Sequence, residues 1–440
     1  MSQTSNTVSS LPLEGAGGQI QTSKNTSESP LQGVRGPTQT SNTASSLPLE
    51  EAGGPIKPAN RLNSVSEYYF SAKLREIDEM KSQGKNVLNL GIGNPDLPPS
   101  EETIEALCTE ARKPTVHGYQ SYAGIPELRN GFAAWYKRWY NTELNPATEI
   151  QPLIGSKEGI LHITLAFVNP GDSVLVPNPG YPTYSSASRI CEANVMTYDL
   201  DEKNNWEPDF DALEQMDLST AKLMWVNYPN MPTGANASIT LFKKLIAFGQ
   251  KHNIVICNDN PYSFILNDKK LSILSIEGAK DICIELNSMS KSHNMAGWRI
   301  AMLASNEQFV KWILKVKSNV DSGMYRPMMV AAAQALQNTD EWHNRMNEVY
   351  ARRRELAFRI MDTLECTYDR NQVGMFVWGK IADIWQDAGE IADKILYEKN
   401  VFITPGFIFG DKGKRYLRIS LCSPERMLEE VIERMKKPAP

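Results

Sequence analysis

The chain has 440 residues, of which 41% are hydrophobic, so it is long enough for two or three domains with buried cores. Its formal net charge of −5 excludes the basic surface that nucleic acid or an anionic membrane would attract. The six cysteines form no CxxC pair and the five histidines no HExxH motif, so we expect no disulfide framework and no metal site. Because no apolar run reaches the roughly 18 residues of a membrane span, we expect a cytoplasmic protein with small-molecule partners.

The first 58 residues differ in composition from the rest of the chain. They are rich in Ser, Thr, Asn, Gly and Pro, and they contain a repeat of 18 residues that opens with Gln-Thr-Ser at 3–5, 21–23 and 39–41. Each unit has too little apolar surface to offset the entropy of ordering it. We therefore predict a disordered tail over 1–58.

The next segment combines a helical pattern with a short strand. Apolar side chains follow helical spacing from residue 64 onward, at Tyr68, Phe70, Leu74, Ile77 and Met80. The run 87–96 indicates a strand that enters a Gly/Pro turn, and its glycines lack the dinucleotide-binding pattern. They favour a backbone that approaches a ligand closely. We expect 59–93 to form an N-terminal arm and part of a small domain.

Short apolar runs then alternate with helical patterns. The predicted strands are 173–177, 222–227, 254–258, 282–286 and 300–303, and predicted helices include 158–168 and 238–252. Continuous apolar strands between helices are typical of a mostly parallel sheet covered on both faces. We therefore predict an α/β fold with a large domain over 94–325, and we expect ligands beyond the carboxyl ends of its strands.

The remainder predicts a smaller α+β domain over 326–440. A long helix is expected over 341–364, with its Arg352-Arg353-Arg354 run on a solvated face. Strands are expected over 376–378, 401–404 and 416–421.

Polar residues follow several of the predicted strands. Ser156 opens an apolar helix, where backbone N–H groups could hold a phosphate, although for this segment alone an ordinary helix cap is the better explanation. Asp259 and Tyr262 follow one inner strand, while Lys291 and Arg299 follow the next. An amine, a carboxylate, a phenol and an anion cradle together suit a phosphorylated aromatic aldehyde.

With these motifs in this order, the chain from about residue 62 onward resembles the class I/II aminotransferases, which are fold-type I pyridoxal-phosphate enzymes. The resemblance implies a seven-stranded, mostly parallel sheet between helices and a smaller α+β domain. It implies pyridoxal 5'-phosphate as cofactor and a ping-pong exchange of an amino group between an L-amino acid and a 2-oxo acid.

The resemblance also implies roles for the residues around the cofactor ring. Lys291 would form the internal aldimine and move the proton at the substrate Cα. Asp259 would pair with the pyridine nitrogen, Tyr262 would hydrogen-bond the ring 3-oxygen, and Tyr181 would stack on the ring. Asn230 is the amide that we expect near the 3-oxygen.

The remaining roles concern the phosphate and the substrate. Ser156, the backbone of Lys157, Ser288 and Arg299 match the phosphate cradle of the family. Tyr119 matches the tyrosine given to the neighbouring subunit's cradle, which implies a homodimer. Arg418 would bind the substrate α-carboxylate bidentately, and the backbone of Gly93 would meet the same group.

One position departs from the family pattern. Met231 stands where an asparagine usually precedes the proline of Asn-Pro-Thr-Gly, which leaves Asn227 or Asn230 to supply the amide unless that bond is lost. Two other readings stay open: a C–S β-lyase or decarboxylase on the same scaffold, and a non-enzymatic regulator that binds the same cofactor.

Overall fold

A computed structural model describes residues 57–64 and 69–436. The tail predicted over 1–58 lies outside the described residues except for its last two positions, and Tyr68 of the first predicted helix lies outside as well. The α-helices are α1 (Tyr69–Ser82), α2 (Glu101–Ala111), α3 (Pro126–Tyr140), α4 (Ser156–Phe167), α5 (Pro182–Ile190), α6 (Phe210–Glu214), α7 (Ile239–His252), α8 (Ala279–Ile282), α9 (Met289–Ser292), α10 (Glu307–Lys317), α11 (Arg326–Ala335), α12 (Asp340–Thr363), α13 (Ala388–Lys399) and α14 (Glu425–Lys436). Within the described ranges, none of these helices combines the length and the apolar character that a membrane span needs.

The strands form three sheets. They are β1 (Leu88–Asn89), β2 (Ile150–Leu153), β3 (Ser173–Asn178), β4 (Asn194–Asp199), β5 (Ala221–Val226), β6 (Val255–Asp259), β7 (Cys283–Ser288), β8 (Ala301–Ala304), β9 (Phe376–Lys380), β10 (Val401–Phe402), β11 (Thr404–Pro405) and β12 (Tyr416–Ser420). The large sheet has the order β2-β8-β7-β6-β5-β3-β4. Its neighbours pair in parallel except at β8, which is antiparallel to β2 and to β7. The predicted seven-stranded, mostly parallel sheet is therefore confirmed.

Helices cover both faces of the large sheet because its strands carry apolar side chains on both sides. In β5, Met224 and Val226 point into a core shared with α3, α7 and α11. The alternate residues Leu223 and Trp225 point into a second core shared with α4, α5 and α10. Strands β2 and β4 were not predicted: β2 contains a proline, and most of β4 is not buried, so neither has the continuous apolar run of an inner strand.

The two smaller sheets bring the segment after β1 next to the C-terminal part of the chain. Strand β1 pairs in parallel with β10, and β12 lies between β11 and β9 in an antiparallel sheet. The strand predicted over 401–404 is thus two short strands that pair with different partners. Side chains of α12, α13 and α14 form the core against β9 and β12. The domain boundary near residue 325 stays a prediction, and α11, which follows it, packs in the core of the large sheet.

The arginine run of α12 is not a uniformly solvated face, so that prediction was wrong for its central residue. Arg353 is only 4% exposed. Its guanidinium donates to Asp96 Oδ1 and Oδ2 at 2.6 and 2.8 Å and to the Leu421 carbonyl at 3.0 Å. Arg352, by contrast, is exposed and pairs with Glu425. Successive helical residues point about 100° apart, so one member of a charged run can face the interior while its neighbour faces water.

Candidate active site

A cavity of about 440 Å³ lies where several strands of the large sheet end. Strand β6 ends at Asp259, β7 ends at Ser288 directly before α9, and β2 leads into the start of α4. Most of the site residues predicted from the sequence line this cavity, namely Gly93, Ser156, Lys157, Tyr181, Asp259, Tyr262, Ser288, Lys291, Arg299 and Arg418. The fold therefore brings together groups that are more than 300 residues apart in the chain.

Lys291 carries the amine at the centre of the cavity. It lies on α9, and its Nζ donates a short hydrogen bond to the carbonyl oxygen of Gly93. Burial of the amine lowers the pKa of Lys291, and the positive charges of Arg418 and Arg299 act in the same direction, while Cys422 opposes them. A lowered pKa increases the fraction of neutral amine, which is the nucleophilic form of a lysine.

Asp259 places a buried carboxyl group in the same cavity. Its side chain is 5% exposed, and Oδ2 accepts a hydrogen bond from the Tyr184 hydroxyl at 3.0 Å. The other oxygen, Oδ1, is buried and has no hydrogen-bond partner among the described residues. Burial raises the pKa of Asp259 to about 7, against the hydrogen bond from Tyr184, which lowers it. A cation beside Oδ1 would favour the ionised form.

An anion cradle forms where α4 begins. Gly155 precedes the helix with φ 82°, and a Cβ at this position would lie 2.0 Å from Arg299 Nη2, so only glycine lets the guanidinium approach. Arg299 Nη1 donates to the Ala296 carbonyl at 2.9 Å. Ser156 Oγ is buried without a hydrogen-bond partner among the described residues. A helix N-terminus, a free hydroxyl and a fixed cation together suit a phosphate group.

Arg418 provides a second cationic group in the cavity. Its Nη2 donates to the Gly91 carbonyl at 2.7 Å, and its Nη1 lies 3.3 Å from the sulfur of Met231. The guanidinium carbon lies 4.0 Å from the ring centre of Phe376 and 4.6 Å from that of Phe409. The two rings hold the guanidinium plane in place, and a planar fork of N–H donors binds a carboxylate bidentately.

Two predicted site residues do not line the cavity. Asn230 Oδ1 accepts hydrogen bonds from the backbone N–H and the hydroxyl of Thr233 at 3.3 and 2.8 Å, so its side chain closes a turn. Asn227, the other amide considered, does line the cavity, but it donates to the Asp259 carbonyl and accepts from the Met231 N–H. Tyr119 is 91% exposed and lies outside the cavity of its own chain.

The structure adds residues that sequence reasoning missed. Tyr184 holds Asp259, and Ser290 lies 3.5 Å from Arg299 Nη1. Ser290 directly precedes Lys291, so its position was a usable signal. Tyr184 and Phe409 gave no such signal, because a buried aromatic residue next to an active site has the same local pattern as one in the core.

The fold and the cavity define an α/β enzyme with a lysine amine of lowered pKa, a buried carboxyl group and an anion cradle. The family model for aminotransferase class I and II matches residues 85–435, and the chain belongs to this family. The match confirms the predicted resemblance and identifies the chain as a transaminase. It does not favour the alternative hypotheses of a C–S β-lyase, a decarboxylase or a non-enzymatic regulator.

Individual relatives cover nearly the whole described part of the chain. The LL-diaminopimelate aminotransferase of Oleidesulfovibrio alaskensis is 40% identical over 378 residues, which is 85% of this chain and 97% of the relative. The enzyme of the same name from Dehalococcoides mccartyi is 37% identical over 377 residues, with the same coverage of 85% and 97%. Among solved structures, substrate-bound BacF from Bacillus subtilis is 36% identical, with a TM-score of 0.81 and coverage of 86% of this chain and 96% of that one.

Proposed function

We propose that the cavity binds pyridoxal 5'-phosphate and that the chain exchanges an amino group between an L-amino acid and a 2-oxo acid. The observation that carries the proposal is the presence of Lys291, Asp259 and Arg299 in one cavity. Two buried atoms fit the cofactor in particular: Asp259 Oδ1 suits a cationic ring nitrogen, and Ser156 Oγ suits a phosphate oxygen. When bound, pyridoxal phosphate supplies an electron sink for the carbanion at the substrate Cα.

The residues around the ring would orient it and fix its charge. Asp259 would hold a proton on the pyridine nitrogen, because a buried carboxylate is stable only beside a cation. The Tyr262 hydroxyl would donate to the ring 3-oxygen, and the Tyr181 ring would lie against the face of the cofactor. Ser156, the backbone of Lys157, Ser288 and Arg299 would hold the phosphate.

The substrate would be held by Arg418 next to the amine of Lys291. Arg418 would bind the α-carboxylate, with the backbone of Gly93 beside it. This contact would place Cα next to Lys291, whose neutral Nζ would take the proton from that carbon. The amino acid would leave as a 2-oxo acid before the second 2-oxo acid binds, which is a ping-pong order.

Borohydride reduction of the holoenzyme tests the first step of this proposal. Reduction should attach the cofactor irreversibly to Lys291, and mass spectrometry of peptides should find the added mass on that residue. Lys291→Ala should lose both the tag and the visible absorbance of the bound cofactor. Lys270→Ala is the matched control, because burial also lowers the pKa of Lys270 although it does not line the cavity. A tag on another lysine would contradict the assignment.

Initial-rate kinetics test the reaction itself. A set of amino donors is paired with 2-oxoglutarate and with pyruvate, and ping-pong exchange predicts parallel lines in double-reciprocal plots. LL-diaminopimelate is one of the amino donors to test, because the relatives described above carry it in their names. Release of ammonia in place of amino-group transfer would favour a lyase.

We also propose a homodimer in which Tyr119 of the partner subunit completes the phosphate cradle. The exposure of Tyr119 outside its own cavity supports this arrangement. Mixing Tyr119→Ala chains with Lys291→Ala chains should restore activity, because one site of each heterodimer would then contain both residues. If mixing restores nothing while heterodimers form, Tyr119 does not contribute to the partner subunit's site.

The six free cysteines are typical of a reducing compartment and support a cytoplasmic location.

A further inference from the structure

We propose that this transaminase uses amino donors with an uncharged, apolar side chain, an inference that rests on the proposed function and specifies its substrate class. The inference comes from five side chains of the cavity, which we call the apolar subsite: Leu74, Ile92, Met231, Phe376 and Phe409.

Three of these side chains contact the Arg418 guanidinium, which would bind the α-carboxylate, and a fourth lies in the loop that accepts its hydrogen bond. Phe376 and Phe409 stack on the Arg418 guanidinium, and the Met231 sulfur contacts it. Ile92 lies between Gly91 and Gly93, whose carbonyls accept hydrogen bonds from Arg418 and Lys291. A substrate with its carboxylate at Arg418 and its Cα at Lys291 would direct its side chain among these residues.

Phe376 packs tightly against two other residues of the cavity. A Cβ on Gly93 would lie 2.5 Å from Phe376 Cζ, so the tip of the ring rests directly on the glycine that contacts Lys291. The same ring meets Tyr262 edge to face, with centroids 5.8 Å apart. Phe376 therefore presents a fixed apolar surface between the amine and the carboxylate-binding guanidinium, a rigid surface that suits an aliphatic or aromatic side chain.

The charges of the cavity support the same conclusion. Among the described residues that line it, the carboxylate, ammonium and guanidinium side chains are those of Asp259, Lys157, Lys291, Arg299 and Arg418. Asp259 is bound to Tyr184, Arg299 lies against Gly155, and the proposed reaction uses Lys291 and Arg418.

Lys157 is the second residue of α4 and belongs to the phosphate end of the cavity. Among the described residues of this chain, the apolar subsite thus offers no carboxylate for a distal ammonium and no cation for a distal carboxylate. A charge buried there would lack a partner, which is strongly unfavourable. LL-diaminopimelate carries both charges at its far end, so we expect it to be a poor donor for this chain although relatives bear its name.

The first test follows the absorbance of the cofactor in the holoenzyme during the half-reaction with a single donor and no 2-oxo acid. L-Phenylalanine or L-leucine should convert the cofactor with a kcat/KM at least about 100-fold higher than LL-diaminopimelate, since an unpaired buried group is rejected more strongly than a change in size. Equal or faster conversion by LL-diaminopimelate would overturn the inference and leave the proposed function intact. No conversion with any donor would overturn both.

A binding measurement gives a readout that does not depend on turnover. Calorimetry of the holoenzyme should show that 3-phenylpropanoate, an unreactive acid with an apolar tail, binds at least about 10-fold more tightly than glutarate, whose tail is charged. Tighter binding of glutarate would contradict the apolar character of the subsite.

Ile92→Arg introduces a cation into the apolar subsite and tests whether the substrate side chain binds there. Ile104→Arg is the matched control, because Ile104 on α2 is 39% exposed, against 41% for Ile92, and lies outside the cavity. The ratio of kcat/KM for L-phenylalanine to that for LL-diaminopimelate should fall at least about 10-fold in Ile92→Arg and stay unchanged in Ile104→Arg. An unchanged ratio in both variants would show that the substrate side chain lies elsewhere and would overturn the inference.

Discussion

Replacing Asp259 by asparagine should change how the stability of the cofactor-free protein depends on pH. The carboxyl group is almost fully buried, one of its oxygens lacks a hydrogen-bond partner among the described residues, and burial raises its pKa from 3.8 to about 7. Asparagine has nearly the same shape but never ionises. The variant therefore removes the cost of burying the charge and keeps an oxygen that can accept from Tyr184.

The direction and size of the effect follow from the raised pKa. Below pH 3.8 the group is protonated in both the folded and the unfolded chain, so it has no effect on the pH dependence. Between that pH and about 7 only the unfolded chain releases the proton, so the free energy of unfolding falls as pH rises. At about 1.4 kcal/mol per pKa unit, the full penalty above pH 7 is roughly 4 kcal/mol. Between pH 5 and pH 8 the variant should gain about 2–3 kcal/mol relative to the wild-type protein.

Urea unfolding of the cofactor-free proteins at several pH values measures this difference. The amide introduced by Asp259→Asn adds a desolvation cost, but that cost is independent of pH and cancels from the trend. Asp281→Asn, at an exposed position, is the control and should show no such trend. Saturating pyridoxal phosphate should reverse the order at pH 8, because only the aspartate can stabilise a cationic ring. A stability difference that stays constant from pH 5 to pH 8 would refute the reasoning.

Three further variants test individual contacts of the fold and of the cavity. Asp96→Ala should lower the free energy of unfolding by about 3 kcal/mol in urea, because it leaves Arg353 buried with one backbone acceptor, and adding Arg353→Met should recover part of the loss. Lys317→Met should cost about 3 kcal/mol near pH 7 in thermal unfolding, because it removes a fully buried ammonium bound to Glu158. Since the pKa of Glu158 is lowered to about 2, that deficit should shrink as pH falls below about 4.5, and a constant deficit would contradict the assignment. Ser156→Ala should weaken pyridoxal-phosphate binding about 10-fold in equilibrium dialysis, and unchanged affinity would exclude its hydroxyl from the cradle.

The large sheet and most of the cavity could be predicted from the sequence because both depend on local patterns. Inner parallel strands are short apolar runs, and the polar residues after them lie at one edge of the sheet. Asp259 and Lys291 were placed in this way, each just beyond a predicted strand. The edge strands β2 and β4 lacked the pattern, since one of them contains a proline and the other is largely accessible.

The remaining features depend on partners that are distant in sequence. Arg353 was taken for a surface charge because its partner Asp96 is 257 residues away and gives no local signal. Asn230 was expected near the cofactor because it neighbours the usual asparagine position, yet its side chain binds Thr233 three residues later. The position of Met231 in the motif was clear from the sequence, but its contact with Arg418 was not.

Lys291 shows how local and distant effects combine in one residue. It is one of 46 lysines and arginines, and of the charged groups that lower its pKa only Arg299 lies in its own segment. Strand β7 and α9 place it at the edge of the sheet, whereas β12 contributes Arg418 and the segment after β1 contributes the Gly93 carbonyl. Burial and the two arginines then lower the pKa of the amine. Because each of these contributions comes from a different part of the chain, the reactivity of Lys291 is a property of the assembled fold. A change at the Arg353–Asp96 contact should therefore alter the reactivity of Lys291, because Asp96 belongs to the loop that carries Gly93.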